Sequence, residues 1–397
     1  MASQELAPDP AAMHHALHAK LLSYRLSDVL QHTARKDGVL TLEHNASISD
    51  ALRALARRGV LSAPIVMVPA LEDDFGGGVF LEQENTMVAV LVGWADLKDV
   101  VSAFLEHLHE HHPELPSSML SLMTLLDKES HKFVSRMLIT LHSSEDRGLV
   151  YKANSNTTLL ETIRDQFLSV RSDGRIVHRL AVFDSLGQIL DIVSQMDVLR
   201  FLASTDTLDV FQSRTVEQLG LVAPSQGGVV TVQPQIPTLL AFEHIMKAGV
   251  SGAPVMNGST MIANISISDL KRIQPEHLSV LALPVAEFLA LSHNTSYLGY
   301  SASSTGAPRH PFFADAAPIQ PTAGHQGMAP SVSHSQHDLH RNVSKITCSA
   351  DTTLQKVIND MVQFNIHRMY VVQPGATPCE VIAVITPTDI MELLIAA

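Results

Sequence analysis

Cysteine is nearly absent from this chain. Only Cys348 and Cys379 occur in 397 residues, without CxxC spacing, which excludes a disulfide framework and points to a reducing compartment. Positive charge is also short: 27 Lys and Arg stand against 40 Asp and Glu, a formal net charge of −13. That sign opposes nucleic acid or an anionic membrane as the main partner, because both rest on a positive field. An anionic ligand therefore needs a local basic site. No apolar run reaches membrane-spanning length, and "MASQELAPDPAAMHHALHAK" has no basic segment leading into an apolar one. The expected location is cytosolic or nucleocytoplasmic. There is no GxGxxG, Walker loop or HExxH, and no nucleophile with a matched base, so the expectation is a protein that is not an enzyme and requires no cofactor.

What is present is apolar and repetitive. Hydrophobic residues make up 46% and charged ones only 17%, which argues for folded cores over most of the length. A chain of this size exceeds what one core usually serves, so two or more domains are expected. A pattern of strand, helix, strand, strand, helix occurs four times. The fourth copy runs "SKITCSA", "DTTLQKVINDMVQFN", "IHRMYVV", "CEVIAVIT", "PTDIMELLIA", and the second "LVYKAN", "TTLLETIRDQFLSV", "VHRLAVF", "QILDIVS", "QMDVLRFLA". The third runs "GVVTVQ", "TLLAFEHIMKAG", "VSGAPVM", "TMIANIS", "ISDLKRI", and the first "GVLTLE", "SISDALRALARRG", "VLSAPIVMV", "TMVAVLVG", "WADLKDVVSAFLEHL". Each copy is too short to bury both its apolar faces, so copies must pair; pairing of adjacent copies into two modules is the simplest expectation. The Gly-rich, acidic "PALEDDFGGGVFLEQEN" reads as an exposed loop inside copy one. The Ser, Ala, Pro, Gly and His-rich stretch from about 293 to 340 reads mostly as disordered linker.

Each copy enters its last helix through a similar tetrapeptide: "GWAD" ending at Asp96, "SQMD" at Asp197, "SISD" at Asp269 and "TPTD" at Asp389. In one copy alone, a helix cap explains this equally well: Ser194, Ser266 and Thr386 suit N-cap, and an acid at N3 closes a capping box. Recurrence favours a second role. An ionised carboxylate accepts bonds from two vicinal hydroxyls, as a ribose offers, and a helix start with free amides suits a phosphate. Gly93 lacks the hydroxyl in copy one.

Copies two and four open their second strand with His178–Arg179 and His367–Arg368, where copies one and three have Leu61–Ser62 and Ser251–Gly252. A lone His–Arg is usually a solvated strand end. Two pairs at equivalent positions, upstream of Asp197 and Asp389, read instead as a cationic centre for a nucleotide phosphate, facing a cleft at the strand mouth. His107 and His111 in "EHLHEHHPE" share a helix face as a metal pair does, but with no third ligand a solvated helix end is the better reading, and no metal is expected.

The fourfold pattern resembles cystathionine-β-synthase (CBS) repeats. The stretches "DTTLQKVINDMVQFNIHRMYVV…VIAVITPTDIMELL" and "IVHRLAVF…ILDIVSQMDVLRFL" resemble the γ regulatory subunit of AMP-activated/SNF-type protein kinases, over most of residues 20 to 283 and 341 to 397. The resemblance implies an α/β (α+β) fold of four β-α-β-β-α CBS repeats, paired into two modules in a disc-like assembly. The segments would be a 1–20 tail, repeats at 21–112, 113–203 (with a linker helix), 204–283 and 341–397, and a helical stub with linker at 284–340. It implies ribose contacts at Asp96, Asp197, Asp269 and Asp389, phosphate contacts from His178, Arg179, His367 and Arg368, and polar contacts from Ser194, Ser251, Ser266 and Thr386. The ligands would be AMP, ADP and ATP, and the partners kinase catalytic (α) and scaffold (β) subunits, with neither nucleic acid nor membrane. The sequence departs from that family at Leu61, where the γ subunit carries a phosphate-contacting arginine, and at Met196 and Ile267, where it has lysines; fewer cations should weaken phosphate binding. Asp197 stands where the animal γ subunit has arginine, so the second site is expected to be competent. The alternative is a stand-alone CBS-pair protein that homo-oligomerises and regulates another enzyme or a transporter.

Overall fold

A computed structural model describes residues 10–33, 38–67, 90–141, 152–169, 176–184, 188–222, 228–293, 296–297, 300–301, 313, 343, 346–373 and 380–396. The acidic loop of copy one, Cys379 and most of the 293–340 stretch lie outside them. The chain opens with α1 (Pro10–Ser23) and α2 (Leu26–Thr33). Copy one follows as β1 (Leu42–Glu43), α3 (Ile48–Arg58), β2 (Ser62–Met67), β3 (Val90–Asp96) and α4 (Leu97–His111), and leads into α5 (Met119–Val134). Copy two comprises β4 (Lys152–Asn154), α6 (Leu159–Glu161) continuing as a π-helix (Thr162–Phe167), β5 (Arg179–Phe183), β6 (Ile189–Ser194) and α7 (Gln195–Ala203). Copy three has α8 (Thr238–Lys247), β7 (Gly252–Asn257), β8 (Thr260–Ser266) and a 3-10 turn (Ile267–Leu270) before α9 (Val285–Ser292) and the hairpin β9 (Ser296–Tyr297), β10 (Tyr300–Ser301). Copy four is β11 (Thr347–Cys348), α10 (Leu354–Phe364), β12 (Met369–Val372), β13 (Val381–Ile385) and α11 (Pro387–Ala396).

In copies one, two and four a short first strand pairs parallel with the second, which pairs antiparallel with the third. In copy three the first strand shrinks to a single parallel bridge, Val232 to Val255, so "GVVTVQ" is only partly a strand. The first helix of copies one, two and four starts at a side-chain cap, whereas α8 of copy three follows Pro237 without one. Ser47–Asp50 and Thr158–Glu161 form capping boxes, and Thr353 accepts from the Lys356 amide. Two of these helices stop at left-handed residues, Gly59 at φ 58° and Asn365 at φ 52°; glycine and asparagine are the residues that take this conformation most readily.

The copies pair, but not with their chain neighbours. One unit joins residues 40–150 to 230–344, and so copy one to copy three; the other joins 1–39, 151–229 and 345–397, and so copy two to copy four. Each unit has its own core. In the first, Ile48, Leu52 and Phe104 pack with Phe242, Val255 and Phe288. In the second, Leu159, Leu180 and Leu199 pack with Leu354, Val357 and Ile390. The expectation of adjacent pairing counted only chain proximity. Burial of complementary apolar faces decides the partner, and long connections after copies two and three leave the chain free to reach it. The N-terminal stretch also differs from a tail, because Leu17 and Leu21 of α1 are fully buried in the core shared by copies two and four. The connection between copies one and two is helical as expected, and α5 packs along Pro275–Ala282 of its own unit. Among the described residues, no helix is long and apolar enough to cross a membrane.

Candidate functional site

The strand ladders fix which residues of the four copies are equivalent. A bulge interrupts the second strand at Ile65/Val66, Val182/Phe183, Val255/Met256 and Val371/Val372, the same distance after Leu61, His178, Ser251 and His367 in every copy. Counting back from it, Ser62 faces Asp96, Arg179 faces Ser194 and Gly252 faces Ser266. In copy four the last pair is Met369 with Ile385, so Arg368 and Thr386 stand one step further at the same place.

This register moves copy one by three residues. Its third strand continues through Trp94 and Ala95 to Asp96 before the helix begins. Asp96 therefore occupies the N-cap place of Ser194, Ser266 and Thr386, and its carboxylate accepts from the Lys98 amide at 2.8 Å. Asp99, in the first turn of α4, takes the place of Asp197, Asp269 and Asp389. The tetrapeptide match through "GWAD" fails because that copy's strand is longer at its end, which a four-letter pattern does not reveal.

In the other copies the capping box is real. Asp269 Oδ2 accepts from the Ser266 amide at 2.7 Å, above a helical stretch of one turn, and the Ser251 carbonyl accepts from the Ile267 amide at 3.1 Å. Asp197 Oδ2 accepts from the Ser194 amide at 2.9 Å and hydroxyl at 2.6 Å. Asp389 Oδ2 accepts from the Thr386 amide at 2.7 Å and hydroxyl at 2.6 Å. The carboxylates differ at their other oxygen: Asp197 Oδ1 accepts from Arg200 Nη1 at 2.7 Å, whereas among the described residues nothing bonds Asp389 Oδ1.

A buried polar seam stitches α7 to α11. Gln195 Nε2 donates to the Val177 carbonyl at 3.0 Å, and Thr388 Oγ1 donates to Gln195 Oε1 at 3.0 Å. The Gln195 amide also donates to the His178 carbonyl at 3.1 Å. Both helix starts and the mouth of β5 are thereby held in one place.

At that place the cations of two copies converge. His178 and His367 are exposed, while Arg179 and Arg368 are half-buried as the strands begin. Desolvation, followed by the charges of Arg368, Arg179, Arg200 and His178, pushes His367 down to about 4. Because the residue is exposed, the neighbouring cations are the part of that shift that a bound anion would reverse. The pairs do sit at strand mouths, outside the core. Arg200 escaped the sequence reading although "QMDVLRFLA" contains it. Its spacing of three from Asp197 on a helix was the available signal. It also donates to Asn365 Oδ1 at the end of α10, so it bridges copy two to copy four.

The twelve candidate residues thus divide. His178, Arg179, Ser194, Asp197, His367, Arg368, Thr386 and Asp389 fall in the unit of copies two and four; Asp96, Ser251, Ser266 and Asp269 fall in the unit of copies one and three. His111 is exposed, as a solvated helix end would be, whereas His107 is buried. Their rings stack at 4.4 Å, and His107 is buried 3.3 Å from the buried carboxylate of Glu129, without hydrogen-bonding alignment. Among the described residues, no cluster of His, Cys, Asp or Glu could hold a metal ion.

The CBS-domain profile matches residues 338–396, the whole of copy four. The chain therefore contains a CBS domain. Copies one to three share its strand order, ladder register and bulge, the two-stranded sheet of copy three aside. The SNF1-related protein kinase regulatory subunit gamma-1 of Arabidopsis thaliana is 22% identical over 259 residues, covering 58% of this chain and 57% of that protein; the chain therefore spans little more than half the length of that curated relative. A crystal structure of a Methanocaldococcus jannaschii protein, described as a candidate archaeal homologue of γ-AMPK, superposes with a TM-score of 0.52 at 13% identity, covering 91% of this chain and 98% of that one. At that identity the likeness is one of fold. In sequence the chain resembles, distantly, a kinase regulatory γ subunit.

Proposed function

We propose that this CBS-domain protein is a non-catalytic, adenine-nucleotide-responsive regulatory subunit of a SNF1/AMP-activated-type protein kinase. It binds AMP, ADP or ATP and passes their occupancy to catalytic and scaffold subunits. The observation that carries the reading is the convergence of Arg179, Arg200, Arg368 and His178 on His367 in a chain whose net charge is −13. Guanidinium and imidazole donors gathered at one place suit a phosphate, which accepts from several of them at once. The open Asp389 carboxylate on the helix stitched to that place supplies an acceptor for a ribose diol. A ligand favouring one of two conformations then shifts their balance, which is how such a subunit acts on its partners.

Thermal unfolding tests this. Ligand at about a hundred times its dissociation constant adds roughly 2.7 kcal/mol of stability, so millimolar AMP, ADP or ATP should raise the melting temperature. Unmoved unfolding curves with all three nucleotides contradict the reading. Co-purification of kinase catalytic and scaffold subunits with the tagged chain from its native lysate tests the partners.

A further inference from the structure

The two helix starts held together by Gln195 and Thr388 look alike in sequence and are unlike in charge. Both present a capping-box aspartate. Three residues on, α7 carries Arg200 and α11 carries Glu392. Arg200 lies 2.7 Å from Asp197 in an ion pair whose carboxylate side is 7% exposed. Its other arm is held by Asn365, the left-handed residue ending α10, so the guanidinium is anchored across two copies. Glu392 does the reverse, because it and Asp389 repel: desolvation, followed by the Asp389 charge, pushes Glu392 up.

We propose that Arg200 is a lock on Asp197, so that this unit accepts a nucleotide in one orientation only. The sugar diol goes to Asp389, the phosphate goes to the His–Arg cluster, and the copy-two aspartate takes no part. This deepens the proposed function and rests on it. A carboxylate whose oxygens already accept from an amide, a hydroxyl and a guanidinium, and which is buried, offers a diol little. Asp389 keeps a whole oxygen for it, with a neighbouring acid that favours donors. The expectation that Asp197 forms a competent second ribose site therefore gives way to an asymmetric one. Arg200 is a specificity-determining residue through the aspartate it occupies.

The test compares AMP with 2′-deoxy-AMP by calorimetry on the full chain. Wild type should prefer AMP. Asp389→Asn should weaken AMP about tenfold or more, since a hydrogen bond to a charged group is lost, and should bring the AMP to 2′-deoxy-AMP ratio close to one. Asp197→Asn should leave that ratio unchanged. In an Asp389→Asn background, Arg200→Gln should restore part of the preference by releasing Asp197. Loss of the ratio in Asp197→Asn, with Asp389→Asn unaffected, overturns the proposal. A ligand-free arm separates the lock from the nucleotide reading. Double-mutant cycles on apo melting should show coupling between Asp197 and Arg200 of the stabilising sign and none of that sign between Asp389 and Glu392. If wild type binds neither nucleotide, the functional reading falls, and the cycle alone decides the lock: coupling upholds it, and additivity at Asp197 and Arg200 refutes it.

Discussion

Copies two and four open their second strand with His178–Arg179 and His367–Arg368, whereas copies one and three place Leu61–Ser62 and Ser251–Gly252 at the same ladder position. The strands that follow are equally apolar and carry the same bulge. Two demands on the sequence are thus separable: the apolar pattern beyond the strand mouth builds the repeat, and the mouth itself is free to carry charge or not. The unit of copies two and four uses that freedom to gather cations. The other unit keeps its polar chemistry inside, between α4 and α5. There Glu129, 1% exposed, receives Lys132 at 2.9 Å and has His112 at 3.4 Å and His107 at 3.3 Å. Lys132 foremost, against desolvation and aided by His112 and His107, holds Glu129 at about 2. Desolvation, followed by the charge of His111, pushes His107 down.

The largest expected effect breaks the contrast at the cationic unit. Arg368→Gln and Arg179→Gln should each weaken AMP binding about tenfold or more, with adenosine binding nearly unchanged, because only AMP offers a phosphate to a lost guanidinium. Calorimetry with both ligands checks it; equal losses would mean that these arginines hold the fold. The next effect sharpens the contrast from the other side. Glu129→Gln should destabilise its unit by about 2 kcal/mol, since it leaves donors beside a neutral amide, and should not change AMP affinity. Denaturant unfolding and calorimetry together test this. The Glu129 contribution is present above the ordinary glutamate range and is lost as pH falls from about 4.5 toward 2. The smallest effect concerns copy one. Asp96→Ala should cost about 1 kcal/mol as a lost N-cap and leave nucleotide binding intact, whereas a nucleotide defect would return Asp96 to the binding residues.

Much of this was legible in the sequence. The strand and helix order of copies one, two and four followed from period-2 and helical apolar spacing, while copy three keeps only a bridge for its first strand and a 3-10 turn for its last helix; the His–Arg pairs stood out because charge at the entry to a buried strand is unusual. What escaped had a physical reason in each case. Partner choice between copies depends on the fit of apolar faces, which no single copy displays. Asp96 was matched by a tetrapeptide, although only the ladder shows how far a strand runs before its helix begins. Arg200 lies inside an amphipathic helix pattern, where an arginine reads as solvated surface until its neighbours are in place. His107 suggested solvent or a metal, and the buried Glu129 beside it sits on a different helix.

The central claim is that the cluster around His367 exists to receive an anion, and the His367 ring reports on it directly. Its folded value of about 4 lies below the ordinary histidine value of 6.5, so the unfolded chain binds the proton between those pH values and the fold loses stability as pH drops through that window. Histidine-selective NMR titration, with His367→Gln assigning the resonance, should find that depressed value in the free protein. Saturating AMP should move it upward by at least one pH unit, because a phosphate offsets the neighbouring cations. A His367 titration that is the same with and without AMP, under conditions where AMP binds, would contradict the account.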